Sequence, residues 1–460
     1  MVTKHNLHQI EENGIHEIQP YIPLIGKDWP TTTAGEIYEP RNLLTTRARI
    51  HYLIPANPSI YLPTAYPVAS IESVYLNDVL LSTSSYSYDA SILAIRIQNL
   101  KPGDRVRVHL TYTTTSEGRE RWDLQQCTYA EIFGDTQNSR IFIWNGPKKN
   151  AFFPSRFVSE DALSGAKKVD ANSVPLYFPE GCCSIPGDGR NDITGFARQY
   201  DRLLIFTESE AFMLNTEDLQ KDTPSPKPIN PSIGCHGIFG CVLVDNTPFT
   251  LGEHAIYRWT ADTDEYNLCN AYSITDSVPA LTESDFLKHA RMFFYRAKRE
   301  LWVYAPGHST DVWIYQLDTK SWYRFSGIHA NHFFEIDGKL YFSVSNYILK
   351  FDDSFYEDVD ESGATRPIVA SFRSNLLEYG SSFPKHFSKL TLRADCNGSP
   401  ISVTLEGNGL TPIHHTFSET APHTVFVRRL SSGRFQTATL SLTAGGAGRQ
   451  TVHSLISDVR

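Results

Sequence analysis

The sequence predicts an all-β protein with a central β-propeller of about five to six blades, an inserted N-terminal β-sandwich-like module and a C-terminal β-sandwich. Three observations predict this class. Short aromatic and β-branched runs separated by Gly or Asp turns recur between residues 125 and 352. Aromatic residues reach 12% and charged residues only 20%, a balance that favours strands. No long segment has a helical period, and the best helix candidate, 281–298, is expected to end as a strand at 292–295.

The recurring runs predict antiparallel hairpins, because alternating apolar residues split by turn residues fold back on themselves. The clearest hairpins join 202–206 with 210–214, 248–251 with 255–259, 301–304 with 312–315, and 339–342 with 347–351. Hairpin pairs that repeat every ~40–50 residues are typical of propeller blades. The ~240 residues that carry them therefore hold about five blades, or six if the blades are short.

The pattern of runs and turns divides the chain into four predicted segments. These are an N-terminal arm or closing strand (1–40), a β-sandwich-like docking module (41–115), the β-propeller (116–355) and the C-terminal β-sandwich (356–460). In the arm, residues 21–25 form an apolar stretch that is expected to close the propeller ring or to dock on a neighbour. In the docking module, residues 105–112 alternate apolar and polar side chains, as a half-buried strand does.

The charge balance is acidic, with a formal net charge of −9. A general nucleic-acid-binding protein carries a basic face, so the charge argues against that class but leaves room for local contact with DNA. No apolar run approaches the ~18 residues of a membrane-spanning helix. Residues 1–6 lack the apolar core of a signal peptide. The sequence therefore predicts a protein without a membrane-spanning segment that is made and assembled in a cytoplasm.

The cysteines are few, odd in number and never spaced as Cys-x-x-Cys. This usage predicts reduced, buried thiols rather than a disulfide framework. They are Cys127, Cys182, Cys183, Cys235, Cys241, Cys269 and Cys396.

Histidine spacing offers one metal-like pair, His329 and His332, followed by Glu335. On a strand these two histidines point to opposite faces, so they converge only at a bend. The pairs His414–His415 and Cys235–His236 fail for the same reason, because adjacent strand residues diverge. Turn and surface histidines are the simpler interpretation, and no metal site is predicted.

Acidic residues raise two further alternatives. The run 187–192 is rich in oxygen ligands but lacks the alternation and terminal Glu of a calcium loop, so it is expected to be a polar turn leading into a strand. Paired carboxylates could serve a glycosidase, but clusters on turns are usually solvated. The clusters are Asp262, Asp264 and Glu265, and Asp352, Asp353, Glu357, Asp358, Asp360 and Glu361. No enzyme motif accompanies them, and no catalytic residue or cofactor is predicted.

Tryptophan side chains in the predicted blades allow two interpretations. They could stack on sugars and form a lectin surface, or they could fill the core between blades, which is the commoner role of buried tryptophan. The residues concerned are Trp259, Trp302, Trp313 and Trp322.

Loose strand-and-turn motifs follow one another along residues 120–460. They are 127–134 (CTYAEIFG), 139–146 (SRIFIWNG), 150–155 (NAFFPS), 175–179 (PLYFP), 192–206, 233–235, 248–259, 271–278 and 384–392. In this order they resemble a family of tailed-bacteriophage tail β-propeller proteins, also called packaged-DNA stabilisation proteins. Residues 41–115 are not part of the common core of that family, and they are expected to dock a neighbouring tail protein, a fibre or a host sugar.

The resemblance implies a structural protein of the virion tail, assembled in the host cytoplasm. Its nearest analogues are hexameric nozzle proteins that lie below the portal and adaptor and hold packaged DNA. The implied partners are copies of the same chain in a ring, the adaptor, the fibres and, transiently, DNA. Two alternatives remain open: a propeller that binds a receptor or carbohydrate, and a propeller glycosidase or depolymerase.

Overall fold

The computed structural model describes the chain in segments, and all structural statements below refer to them. They are residues 8–11, 14–17, 43–44, 46–64, 66–113, 119–134, 139–155, 178, 181–220, 224–261, 270–282, 285–352, 354–355, 357–359, 364–378, 380, 383–408, 410–430, 432–446 and 449–459. The predicted all-β class is confirmed, since antiparallel sheets dominate. The chain forms two compact units, 1–349 and 350–460. Within the described segments, no helix has both the length and the apolar character required to cross a bilayer.

The first unit begins with a hairpin and a module that we call the N-terminal module (46–113). The hairpin consists of β1 (His8–Glu11) and β2 (Gly14–Glu17). The strands of the module are β3 (Arg47–Leu53), β4 (Tyr61–Pro63), β5 (Val68–Leu76), β6 (Val79–Leu80), β7 (Tyr86–Asp89), β8 (Ala94–Ile97) and β9 (Arg105–Tyr112). They form two sheets, in the orders β3-β9-β5-β6 and β4-β8-β7. The sequence range 21–25, proposed as a closing strand, lies outside the described residues.

One apolar core lies between these two sheets. Strand β9 supplies Val106, Val108 and Leu110, each at 0% exposure, which confirms the predicted half-buried strand. The second sheet contributes Ile95 and Ile97 from β8 to the same core. Because β9 buries every second side chain, burial fixes the register of this strand.

A bidentate ion pair links β3 to β5 and gives this module a defined pH dependence. Arg47 donates from Nε and Nη2 to the Glu72 carboxylate over 2.8 and 2.6 Å. Thr111 Oγ1 also donates to Glu72 Oε1, over 3.0 Å. The Arg47 hydrogen bonds, followed by that of Thr111, hold the pKa of Glu72 below its ordinary value against the opposing effect of burial. The stability this carboxylate contributes is therefore present above its unfolded pKa of about 4.3 and lost as pH falls through the folded value.

We expect Glu72→Gln to lower the free energy of unfolding of the N-terminal module at pH 7 by at most about 1 kcal/mol, since the pair is partly exposed. The melting temperature should fall accordingly. The difference from the parent should shrink as pH is lowered from 5 to 3. Thermal unfolding followed by circular dichroism across this pH range measures it. Glu208→Gln, at an exposed glutamate in a hairpin turn, is the matched control. A difference that stays constant with pH would contradict the assigned role of Glu72.

The rest of the first unit consists of five successive antiparallel sheets, here called sheets 1 to 5, in which neighbouring strands are also consecutive in sequence. Sheet 1 holds β10 (Tyr129–Phe133), β11 (Arg140–Trp144) and β12 (Phe152–Pro154), preceded by α1 (Arg119–Gln125). Sheet 2 holds β13 (Ile193–Gln199), β14 (Arg202–Thr207), β15 (Ala211–Asn215) and β16 (Lys227–Asn230). Sheet 3 holds β17 (Cys241–Val244), β18 (Thr247–Leu251), β19 (Ile256–Trp259) and β20 (Ala271–Ser273). Sheet 4 holds β21 (Arg291–Tyr295), β22 (Glu300–Tyr304), β23 (Val312–Gln316) and β24 (Ser321–Phe325). Sheet 5 holds β25 (His332–Ile336), β26 (Lys339–Val344) and β27 (Tyr347–Lys350).

Each sheet packs on the next through large apolar side chains. Sheets 1 and 2 share a cluster that contains Phe142 and Phe212. Sheets 2 and 3 meet where the Trp259 ring lies 5.0 Å from that of Phe206. Sheets 3 and 4 share a further cluster, and sheets 4 and 5 meet where Tyr304 approaches Phe333 with ring centroids 4.7 Å apart.

The first strands of consecutive sheets also lie next to one another. Strand β10 contacts β13, β13 contacts β17, β17 contacts β21, and β21 contacts β25. The predicted helix in 281–298 is reduced to two short helices, α2 (Pro279–Thr282) and α3 (Phe286–His289), before the predicted strand β21. The helix ends early because Ala290 is extended (ψ 156°), so the backbone enters the strand directly.

The second unit contains a hairpin and two facing sheets that we call the C-terminal module (369–459). The hairpin consists of β28 (Glu357–Val359) and β29 (Thr365–Pro367). The sheets consist of β30 (Val369–Arg373), β31 (Phe387–Asp395), β32 (Ile401–Gly407), β33 (Ile413–Phe417), β34 (Thr424–Arg429), β35 (Ala438–Gly445) and β36 (Thr451–Val459). Their orders are β30-β35-β32-β33 and β34-β31-β36. Residues such as Leu392 from one sheet and Val403 from the other fill one shared core.

Candidate functional site

The metal-like pair His329 and His332 gains no third ligand among the described residues. His329 lies in the loop before β25, and His332 begins that strand. Arg291 Nη1 lies 3.4 Å from His332 Nδ1, and the same guanidinium lies 4.4 Å from the centre of the Phe239 ring. A fixed positive charge beside the imidazole opposes a metal cation there. His332 therefore lies beside the cation–π pair of Arg291 and Phe239.

The other histidine pairs diverge, as the sequence predicts. His414 lies opposite Thr404 on β32 and its Nδ1 is 2.9 Å from Thr404 Oγ1. His415 lies opposite Val403, so it faces the other side of the sheet. His236 Nε2 lies 3.2 Å from the Lys288 carbonyl oxygen. None of these contacts brings metal-ligating side chains together.

The oxygen-rich run 187–192 is a turn that leads directly into β13. Gly187 and Gly189 adopt φ of +59° and +73°, values that only glycine reaches without strain. Asp188 Oδ1 accepts the Arg190 backbone N–H over 3.0 Å, which uses this oxygen within the turn itself. This geometry agrees with the polar-turn interpretation.

The acidic clusters do not form a paired-carboxylate site in the described residues. Asp352 accepts hydrogen bonds from Lys350 Nζ and Ser354 Oγ over 2.7 and 2.6 Å. These donors hold the pKa of Asp352 well below its usual range, and both of its oxygens are used in hydrogen bonds to neighbouring residues of the chain. Six of the acidic residues considered lie outside the described part: Asp262, Asp264, Glu265, Asp353, Asp360 and Glu361.

Two of the four candidate tryptophans, Trp259 and Trp302, are core residues. Trp259 and Trp302 are 0% and 3% exposed, and each indole N–H donates to a neighbouring side chain, Thr250 Oγ1 and Glu300 Oε2 respectively. Trp322 is half-buried and donates to the Ile274 carbonyl over 2.9 Å. The rings of Trp259 and Trp302 are therefore closed to a sugar, and the core interpretation holds for both.

The six described cysteines are free, and most are buried. Burial raises the pKa of Cys127 and of Cys235 to about 12. At such values the thiolate, which is the nucleophilic form, is scarce near neutral pH. These cysteines pack as small apolar side chains and do not form a reactive centre. Cys269 lies outside the described residues.

Sequence reasoning missed one cluster of metal-ligating side chains, Asp395, His423 and His453 in the C-terminal module. One donor atom from each residue lies within 4.8 Å of the others. The three residues are far apart in sequence, and no local spacing marks them. Only the pairing of β31 with both β34 and β36 brings them together.

The C-terminal module also presents a strand without a buried side chain. All five residues of β30 are exposed, and β30 is an edge strand of its sheet. Phe372 lies opposite Leu442, which belongs to the shared core, so both side chains are on the inner face of the sheet. Phe372 is nevertheless 58% exposed. The inner face of the sheet is therefore uncovered at this edge.

Further large apolar side chains are exposed in the same unit. On the opposite sheet, Val427 and Ile456 flank Thr391 in one row of the outer face and are 49% and 52% exposed. Other exposed large apolar side chains of the second unit are Phe355, Val359, Ile368, Val369, Leu376 and Phe383.

No protein-family model and no curated protein matches the chain. Among solved structures, one similar chain is PorZ, a bacterial surface component of the type IX secretion system of Porphyromonas gingivalis. The two chains are 13% identical, with a TM-score of 0.30, and the match covers 75% of this chain and 39% of PorZ. The AfRom2 CNH domain is 10% identical with a TM-score of 0.30, covering 71% of this chain and 92% of the domain. The exo-β-1,3-galactanase of Phanerochaete chrysosporium is 10% identical with a TM-score of 0.20, covering 97% and 86%. Similarities at this level assign neither a family nor an activity.

Proposed function

We propose that this protein is a structural subunit of a bacteriophage tail, a nozzle- or hub-like ring component that holds packaged DNA and docks other tail proteins. The observation that carries the proposal is strand β30, which is ordered yet exposes every residue. Ordering a residue of backbone costs roughly 1–2 kcal/mol, which burial normally offsets. Strand β30 is held in the single chain by its pairing with β35, so its exposed side chains are free to contact another chain.

The second chain is a further copy of the same protein. In a ring, each copy presents one surface to its neighbour on one side and a different surface on the other, and the contacts close on themselves. The unpaired edge of β30 offers backbone hydrogen bonds to a neighbouring strand, and the exposed Phe372 offers an apolar anchor. Both features suit a permanent contact between subunits.

Sheets 1 to 5 are the blades of a β-propeller in this proposal. Their consecutive order, their face-to-face packing and the adjacency of their first strands all support a radial arrangement around an axis. The N-terminal and C-terminal modules are β-sandwiches in this proposal. A propeller resists deformation because nearly all of its sheet edges are short or covered, which suits a protein exposed to the pressure of packaged DNA.

The overall charge is compatible with DNA passage. A conduit with net negative charge repels DNA and lets it slide, whereas a positive conduit grips it. The net charge of the chain, −9, has the sign of the first arrangement.

The location in a virion is tested on particles released by the source organism. We expect mass spectrometry of purified tailed particles to detect this chain in a fixed ratio to the portal protein. Immunogold labelling should place it at the tail rather than on the capsid. Purified, infectious particles that lack the chain would contradict the proposal.

A further inference from the structure

The Asp395–His423–His453 cluster lies at one end of the sheet β34-β31-β36. Asp395 is the last residue of the central strand β31, His423 immediately precedes β34, and His453 lies in β36. Their side chains are 18%, 62% and 31% exposed, so the cluster is open to solvent on one side. Each of the three strands of the sheet therefore contributes one side chain to the same point.

Two local departures from regular strand geometry aim the histidines at Asp395. In the β31–β36 pairing, Arg393 lies opposite Ser454 and Ala394 lies opposite Val452, so His453 is the extra residue of a β-bulge. Bulges re-aim side chains in this way. His423 adopts φ of +53°, a left-handed conformation that is uncommon for a residue other than glycine. Its backbone N–H donates to Asp395 Oδ1, which fixes the carboxylate.

The distances between the donor atoms match the spacing of ligands around a small cation. His423 Nδ1 and His453 Nε2 are 3.2 Å apart. His453 Nε2 is 2.9 Å from Asp395 Oδ2, and His423 Nδ1 is 3.6 Å from Asp395 Oδ1. Zinc bonds of about 2.0–2.1 Å in a tetrahedron place neighbouring ligands about 3.3 Å apart. The observed distances of 2.9, 3.2 and 3.6 Å lie on both sides of this value, and the two that involve Asp395 use different oxygens of its carboxylate.

Protons alone do not satisfy this arrangement. His453 Nε2 is within hydrogen-bonding distance of both Asp395 Oδ2 and His423 Nδ1. A ring nitrogen carries either one proton or one lone pair, so one proton on His453 Nε2 serves only one of these two neighbours well. A cation among the three atoms accepts a lone pair from each of them at once.

We propose that Asp395, His423 and His453 bind a divalent first-row transition metal ion, with Zn²⁺ as the representative ion. Two imidazoles and a carboxylate suit such ions rather than Mg²⁺ or Ca²⁺, which prefer oxygen ligands alone. Three protein ligands leave at least one coordination position for water. The backbone N–H of His423 donates a hydrogen bond to Asp395 and orients its carboxylate. Hydrogen bonds of this kind commonly orient the carboxylates that bind metals. The ion would join the ends of all three strands of this sheet.

Metal binding is tested on the full-length chain, stripped with a chelator and titrated with Zn²⁺ in a calorimeter. We expect one high-affinity site per chain and a rise in melting temperature. His453→Ala and His423→Ala should each weaken binding more than tenfold, and Asp395→Asn should weaken it while keeping the acceptor for the His423 N–H. The matched control is the double variant His414→Ala/His415→Ala, which removes two imidazoles from the same module and should leave affinity unchanged.

X-ray absorption at the zinc edge of the unaltered, loaded protein gives a second measurement that needs no variant. We expect two imidazole nitrogens and additional oxygen ligands at about 2.0–2.1 Å. The proposal is overturned if the parent chain binds no Zn²⁺ in the titration, if the control variant loses the site instead, or if the spectrum contains sulfur ligands or no imidazole.

Discussion

Replacing Trp259 with alanine is expected to destabilise the first unit by about 3–5 kcal/mol, the usual cost of removing a large buried aromatic side chain. Trp259 is 0% exposed, and its ring packs against Phe206 of the preceding sheet. Its indole N–H donates to Thr250 Oγ1 over 2.9 Å, and its carbonyl accepts from Gln199 Nε2 over 3.1 Å. The substitution therefore leaves both a cavity between sheets 2 and 3 and an unmatched hydroxyl.

Chemical denaturation followed by tryptophan fluorescence and circular dichroism measures this loss. Trp122→Ala is the matched control, because Trp122 is 54% exposed on α1 and should change stability by less than about 1 kcal/mol. Similar losses from the two substitutions would mean that sheets 2 and 3 do not depend on the Trp259 contact.

Replacing Phe372 with aspartate is expected to abolish ring assembly while the C-terminal module stays folded. Phe372 is already 58% exposed in the single chain, so the charge costs the folded monomer little. In an assembled ring the same charge would be buried without a partner, which costs several kcal/mol at each contact. Because the same contact occurs between every pair of neighbouring subunits in a ring, the free-energy loss at one contact is repeated at all of them.

Mass photometry and analytical ultracentrifugation of the purified chain compare the oligomers of the parent and the variant. The control is His414→Asp, which introduces the same charge on β33, the opposite edge strand of the same sheet. We expect the control to assemble like the parent. Assembly of Phe372→Asp at the parental concentration would show that β30 is not a subunit contact.

Elements with strong alternation could be predicted from the sequence. Strand β9 was predicted at its observed limits, because each apolar residue in 105–112 has a polar neighbour and the turn residues before it mark its start. The hairpins around 202–214 and 301–315 could be predicted because short apolar runs flank polar or Gly turn residues. Helix α1 was not, since its seven residues give less than two full turns in which to recognise a helical period.

Features that depend on tertiary pairing could not be predicted. Asp395, His423 and His453 come from separate strands, and the bulge that aims His453 has no local sequence signature. The exposure of β30 was equally hidden, because Val369 and Phe372 resemble core residues in sequence. Their surroundings decide their role, and the sequence pattern does not contain those surroundings.

The most direct test of the central claim is cryo-electron microscopy of the purified full-length chain at micromolar concentration. The account predicts a closed ring in which β30 of each subunit, with Phe372, is covered by the neighbouring subunit, and in which sheets 1 to 5 are arranged radially. A monomer in which β30 remains in solvent, or a ring that leaves Phe372 uncovered, would contradict it.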